Sequence, residues 1–183
     1  MAGGSGVLDH LPTASELLTG YRADSVTDRL AAMPLHDIEG LWEFTGQGTL
    51  MAIERDPLTH GAATRYRMVA VRSSDLALRP GTVMGYLTPT SRRGRYDARI
   101  YTATTDEGTR LRKLARHTIT LSDESSRIII KPYGRLLRFN WWRLIFPYMY
   151  RSLITPIERR EDDLDGCIRV YPPPAVPLNP VYL

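Results

Sequence analysis

The sequence is short of cysteine, of lysine and of long apolar runs, and each shortage narrows what the protein can be. Its one cysteine, Cys167, excludes an internal disulfide and a metal site built from several cysteines. No apolar stretch approaches the ~20 residues that a membrane-spanning helix needs, so no such span is predicted. The nucleophile-elbow, phosphate-loop and zinc-protease motifs are missing too. We therefore predict a protein that is not an enzyme and that uses no cofactor.

The histidines and acidic residues give no sign of a metal site. His10, His36, His60 and His117 are scattered, and none has another histidine within five residues. A locally built metal site would need such a pair. The acidic run at 161–165 lacks the alternating ligand spacing of a calcium loop and is typical of a solvated loop. No metal ligand is predicted.

What the sequence does contain is enough apolar material for one domain, with an uneven charge. The chain has 183 residues, of which 43% are hydrophobic and 24% are charged, and its net charge is +4. Residues 1–54 carry 2 basic and 8 acidic side chains, whereas residues 55–151 carry 19 basic and 7 acidic ones. Of the 24 basic residues, 22 are arginine. A basic centre can attract an anionic partner, or the acidic ends can pack against it and neutralise it.

Residues 38–140 have the pattern of an antiparallel β protein. Segments rich in β-branched and aromatic residues are separated by turn residues, which predicts strands near 39–45, 49–55, 63–72, 82–88, 95–104, 110–121, 126–131 and 135–140. In 95–104 and 110–121, polar and apolar residues alternate with a period of two, as in strands with one wet side. Residues 166–171 are predicted to form a closing strand. The fold class predicted is mostly β, an antiparallel up-and-down barrel, with a two-sheet sandwich as the alternative.

The segments on either side of the strands divide the chain. We predict a leader with short helices over residues 1–37, a single barrel domain over 38–171 and a Pro-rich tail over 172–183. Thr13 or Ser15 is expected to cap a first helical turn, and Ser25 to begin a second helix that Pro34 ends. Residues 141–154 are apolar and aromatic nearly all round, which predicts one late helix buried against the barrel.

Residues 38–44 resemble the opening motif of lipocalins and related calycin barrels. In that family a Gly-x-Trp motif follows a short helix and opens the first strand, and Gly40 and Trp42 stand in those places here. The resemblance implies that Trp42 packs at the closed end of the barrel against an arginine of the last strand, for which Arg169 is the matching residue. A guanidinium stacked on an indole can cap an apolar core. The resemblance thus implies a calycin-like barrel, but no ligand identity follows from it.

The barrel leads to a first functional hypothesis, a binding protein. An eight-stranded barrel can hold one small ligand in a mostly apolar pocket with a few polar anchors. The candidate ligand-binding residues are Tyr66, Tyr96 and His117, the last because it lies on the apolar side of its strand. The expected ligand is a small apolar or anionic molecule. The alternative is a barrel filled by its own side chains, which binds nothing.

The second hypothesis is an interaction protein with an Arg-rich outer face. Arg92, Arg93 and Arg95 form a compact basic turn, the candidate patch for an acidic partner or an anionic surface. Neighbouring tyrosines also fit single-stranded nucleic acid. No RNA-binding strand motif, zinc finger or recognition helix accompanies them, so nucleic acid is not the predicted partner.

The first residues do not form a signal peptide. Residues 1–6 have no basic region and no apolar region, and are typical of a flexible leader. An exported location is favoured if a targeting segment has been removed from in front of them, and the compartment is otherwise open.

Overall fold

The predicted strands close into a barrel. The structure is a computed structural model that describes residues 8, 10–45, 48–57, 64–73, 78–105, 110–122, 125–132 and 166–173. These residues contain one helix, α1 (Ala23–Ala31), and eight strands: β1 (Gly40–Phe44), β2 (Leu50–Arg55), β3 (Tyr66–Arg72), β4 (Val83–Pro89), β5 (Arg95–Thr104), β6 (Leu111–Leu121), β7 (Arg127–Pro132) and β8 (Gly166–Tyr171). Each strand pairs antiparallel with the next, and β8 pairs with β1. The up-and-down barrel is confirmed, and the sandwich is not favoured.

Seven predicted strands correspond to β1–β7, and the predicted closing strand is β8. The predicted strand at 135–140, the late aromatic helix at 141–154, the acidic run at 161–165 and the tail beyond residue 173 lie outside the described residues. No helix in the described part of the chain is long and apolar enough to cross a bilayer.

Alternation along the strands sorts the side chains into the two sides of the barrel wall. One set is completely buried and follows the register across the sheet, as in Ile53, Met68, Ile100 and Ile119. The opposite set on β5 and β6 is exposed, as at Asp97, Arg116 and Thr120. The first set therefore lines the interior of the barrel, and the second faces outward.

The outer wall of β2–β4 is covered by residues 10–31, which we call the strap. The Ser15 amide donates to the carbonyl oxygen of Leu111 on β6, and the Leu18 amide donates to that of Gly81 before β4, both at 2.8 Å. Val26 and Leu30 of α1 are buried. Outward side chains beneath the strap, including Val69, Met84 and Tyr86, are buried as well.

The strap differs from the prediction of a helix near residue 13. The Ser15 hydroxyl does not cap a helix but accepts a hydrogen bond of 2.8 Å from the Leu111 amide. Ala14 and Leu17 form isolated bridges to β6 and to the residue before β4. Ser25 lies inside α1, which begins at Ala23 without a side-chain cap. A short isolated helix is only marginally stable, whereas the ends of the barrel strands offer hydrogen-bond partners to the backbone and side chains of this segment. The bonds to the strands therefore replace the predicted helix.

Candidate functional site

One end of the barrel is closed around Trp42. The Trp42 indole is completely buried, and its Nε1 donates to the carbonyl oxygen of Ile38 at 3.1 Å. The guanidinium carbon of Arg169 lies 4.4 Å from the centre of the Trp42 ring. At Gly40 a Cβ would lie 2.2 Å from the carbonyl oxygen of Tyr171, and φ is +150°, so the position requires glycine. We call this the Trp42 end.

Arg169 also ties the segment before β1 to the last strand. Its guanidinium donates to the carbonyl oxygens of Asp37 and, at 3.3 Å, Glu39. Burial lowers the pKa of Arg169, and the nearby Asp37 carboxylate opposes that shift. Cation and indole together seal the apolar core beneath them.

Glu39 is a second fixed point of the Trp42 end. Its buried carboxylate accepts from Arg55 Nε at 2.9 Å, from the Arg55 amide at 3.0 Å and from the His36 amide at 2.7 Å. These bonds hold residues 36–39 against β2. The Trp42 end therefore has the character of a structural cap.

Tyr66 and Tyr96, two of the predicted ligand-binding residues, belong to this end. They point inward, and their ring centres lie 6.1 Å apart in an edge-to-face arrangement. The Tyr66 hydroxyl is 2.7 Å from Nδ1 of His36. Burial raises the pKa of Tyr66 to about 12 and also raises that of Tyr96. Both phenols are neutral at physiological pH, and that of Tyr66 is already engaged with the protein.

His117, the third predicted ligand-binding residue, lies on a different part of the inner wall. It is 5% exposed, and its Nδ1 is 3.1 Å from the carbonyl oxygen of Ala115 in its own strand. Burial lowers the pKa of His117, and the Ala115 carbonyl opposes the shift, so the imidazole is neutral at neutral pH. A carbonyl oxygen can only accept, so Nδ1 carries the proton and Nε2 offers a lone pair.

Beyond His117 the inner wall opens to solvent, at the end of the barrel opposite Trp42. The inward residues Ala115 and Ile130 are partly exposed, and Pro132, which pairs with His117, is exposed. On the Trp42 side, Ile119 and Ile128 are completely buried. The accessible residues nearest His117 are thus apolar, and the exposed Lys113 follows two positions beyond Ala115 on β6.

The predicted basic patch lies on the outside of the wall. Arg92 and Arg93 are exposed in the β4–β5 turn, and Arg95 begins β5 facing outward. The Arg93 side chain is 95% exposed and lies 3.7 Å from the Asp37 carboxylate, itself 58% exposed. The sheet register adds Arg99, Arg116 and Lys131 to the same outer wall. The period-two alternation signals that Arg99 and Arg116 face outward, but only the register brings them beside each other.

Sequence reasoning missed a buried cluster around Glu54, where the strap meets β2 and β3. The carboxylate accepts from Arg67 Nη2 at 2.6 Å, from Arg29 Nη2 at 2.9 Å and from the Tyr21 hydroxyl. Burial and the hydrogen bond to Glu54 raise the pKa of Tyr21 to about 12. The sequence around Glu54 does not predict such a cluster, because its partners Tyr21, Arg29 and Arg67 lie 13 to 33 positions away along the chain.

Metal binding and thiol chemistry find no support in the described part of the chain. No group of three or more His, Cys, Asp or Glu side chains is placed there to hold a metal ion. Cys167 is completely buried, and burial raises the pKa of its thiol. Comparison of the chain with protein-family models, curated proteins and solved structures gives no match. The barrel is compatible with a calycin-like fold.

Proposed function

We propose that this protein is a non-enzymatic, lipocalin-like binding protein that holds a small apolar molecule inside the barrel against His117. The observation that supports this proposal is the change in solvent exposure along the inner wall of β6 and β7. The wall is apolar and open to solvent at Ala115, Ile130 and Pro132, and it is closed beyond His117. An apolar cleft with one polar group at its base is the usual form of a small-ligand site.

The state of His117 defines the chemistry of the ligand. A neutral imidazole with Nδ1 bonded to Ala115 presents Nε2 as an acceptor. It favours a ligand with one hydroxyl or N–H group on an apolar body, and it offers nothing to balance a carboxylate. Of the two expected ligand types, the apolar one is therefore favoured over the anionic one.

The Trp42 end supplies the floor of the site in this proposal. Several of its polar groups are bonded within the protein, as in Tyr66 with His36 and Glu39 with Arg55. Tyr66 and Tyr96 then shape the bottom of the barrel, and His117 is the anchor. This division explains why three candidate residues occupy two separate regions of one interior.

The test uses an apolar fluorophore, 1-aminoanthracene, whose emission rises in an apolar site, displaced by decanol or by decanoate. We expect saturable binding and stronger displacement by the alcohol. His117→Leu should weaken decanol binding by about 3- to 10-fold, the range expected for one lost hydrogen bond. His10→Leu, a matched change at an exposed position, should leave it unchanged.

Two results would contradict the proposal. One is an absence of saturable binding by the intact protein. The other is decanol binding that His117→Leu leaves as strong as in the unmodified chain. Stronger displacement by decanoate would mean that the ligand is anionic and would overturn the assignment of its chemistry.

A further inference from the structure

We propose that a cleft where the strap passes the first residues of β4 and β6 binds a small zwitterion of the α-amino-acid class. This cleft, the strap cleft, has a volume of about 270 Å³ and shares no lining residue with the site proposed at His117. Clefts for drug-sized ligands measure roughly 300–1,000 Å³, so this one fits a smaller molecule. Its lining consists of Ser15, Glu16, Leu17, Arg79, Thr82 and Arg110.

The backbone around the strap cleft is fixed on both sides. Ser15 is bonded to β6, and the Glu16 carbonyl oxygen accepts from the Val83 amide of β4 at 2.9 Å. At Gly81 a Cβ would lie 1.9 Å from the carbonyl oxygen of Leu18, and φ is +93°, so only glycine lets the strap approach this closely. A site on such a frame is already ordered, which lowers the entropic cost of binding.

Two hydroxyl groups form the buried part of the lining. Ser15 is 5% exposed and Thr82 is 6% exposed. The Ser15 oxygen already accepts from the Leu111 amide, so its hydroxyl hydrogen is left to donate. The Thr82 hydroxyl makes no hydrogen bond to the residues that the structure describes. A nearly buried hydroxyl without a partner is unfavourable, and an acceptor bound in the cleft supplies that partner.

The charged side chains of the lining have both signs. Arg79 and Arg110 are exposed cations, and Glu16 is an exposed anion. Within the described part of the chain, Glu16 forms no ion pair with either arginine, so both signs of charge can meet a ligand. Guanidinium donors match a carboxylate, and a carboxylate accepts from an ammonium group. A ligand that carries both groups satisfies this lining more fully than a simple anion or a simple amine.

Leu17 adds an apolar contact beside the charged groups. Its side chain is 59% exposed, and covering it with an aliphatic group is favourable. An α-amino acid with a branched aliphatic side chain, such as leucine, combines the ammonium, the carboxylate and the apolar group. Inorganic phosphate would use the arginines and the hydroxyls but would leave Glu16 facing a like charge.

The test titrates the intact protein with L-leucine, followed by nuclear magnetic resonance. Two analogues each lack one charged group: isocaproate has no ammonium, and isoamylamine has no carboxylate. We expect saturable binding of leucine that is about tenfold or more tighter than that of either analogue, because each analogue leaves one side of the lining unpaired.

Two variants separate the ends of the ligand. Glu16→Gln removes the partner of the ammonium at an exposed position, so leucine affinity should fall about threefold or more while isocaproate affinity stays the same or rises. Thr82→Val keeps the shape of the side chain but removes the hydroxyl, and should weaken both leucine and isocaproate by about 3- to 10-fold. Asp28→Asn and Thr120→Val make the same changes at exposed positions elsewhere and should leave binding unchanged.

The proposal fails if leucine shows no saturable binding. It also fails if isocaproate or inorganic phosphate binds as tightly as leucine, which would mean a site for anions alone, or if Glu16→Gln weakens leucine binding no more than Asp28→Asn does. His117→Leu should leave leucine binding unchanged, and a loss in that variant would place leucine in the barrel interior and overturn the assignment to the strap cleft.

Discussion

The Glu54 cluster allows a quantitative prediction, because one carboxylate accepts hydrogen bonds both from the strap and from β3. Glu54→Gln keeps the size of the side chain but removes the charge that faces Arg29 and Arg67. Truncating one partner of a fully buried ion pair costs about 3–5 kcal/mol. The Arg29 side chain is 36% exposed and that of Arg67 is 19% exposed, so water compensates for part of the loss. We expect a decrease of about 2 kcal/mol in the free energy of unfolding, since hydrogen bonds to charged groups are worth about 1.5–3 kcal/mol.

The measurement is urea unfolding followed by tryptophan fluorescence and analysed by linear extrapolation. Arg93→Ala is the control, because the Arg93–Asp37 pair is exposed and 3.7 Å long. Exposed pairs of this kind contribute little, so the control should match the unmodified chain within error. Limited proteolysis should cut the strap faster in Glu54→Gln than in Arg93→Ala, because a weakened clamp opens locally.

The result that would refute this reasoning is a loss in Glu54→Gln as small as that in Arg93→Ala. The strap would then be held by Val26, Leu30 and the backbone bonds to the strand ends. A double-mutant cycle with Tyr21→Phe locates the energy further. Because the Tyr21 hydroxyl donates to Glu54, we expect a coupling energy of about 0.5–1.5 kcal/mol between the two changes.

Three further predictions concern the interior. Gly40→Ala should lower the free energy of unfolding, measured in urea, by about 3 kcal/mol or more, because its methyl group would lie 2.2 Å from the carbonyl oxygen of Tyr171. Gly20→Ala is the control: its methyl group would enter open space at φ +79°, so it should cost about 1 kcal/mol from backbone strain alone. Burial lowers the pKa of His117 below its unfolded value of about 6.5, so the folded protein should lose stability as pH falls below that value, and His117→Leu should remove this part of the pH profile. The Tyr66 phenol should ionise only near pH 12, and because Tyr21 and Tyr86 ionise in the same range, Tyr66→Phe should reduce the amplitude of that step in an alkaline absorbance titration by one phenol.

The wall of the barrel was predictable because the strands are amphipathic. In β5 and β6 the period-two alternation identifies both the strands and their inward residues, His117 among them. The Gly-x-Trp resemblance pointed to Trp42 and Arg169 as neighbours, and the guanidinium carbon of Arg169 lies 4.4 Å from the centre of the Trp42 ring. The local sequence pattern is enough to predict the orientation of a residue when that orientation is set by the residue's own strand.

The strap and the polar clusters were not predictable in the same way. Serine often caps helices, but the Ser15 hydroxyl oxygen instead accepts a hydrogen bond from the Leu111 amide, 96 positions away. Glu54 gathers partners from α1, from β3 and from Tyr21, two residues before α1. Each of these outcomes depends on which strand ends and side chains the closed barrel brings together. These contacts join residues that are far apart in the sequence, so no local sequence pattern predicts them.

The uneven charge of the sequence is balanced in part by ion pairs between its acidic and basic stretches. Two interpretations stood open: acidic segments neutralise the basic centre, or the centre attracts an anionic partner. Around β1–β3 the first holds, because Glu54 pairs with Arg67 at 2.6 Å and Glu39 pairs with Arg55 at 2.9 Å. Both carboxylates belong to the acidic stretch 1–54, and both arginines belong to the basic stretch 55–151. The barrel brings the two stretches together because β1 and β2 are neighbours in the sheet and β2 pairs with β3, so opposite charges that are separate in the sequence meet across the strands.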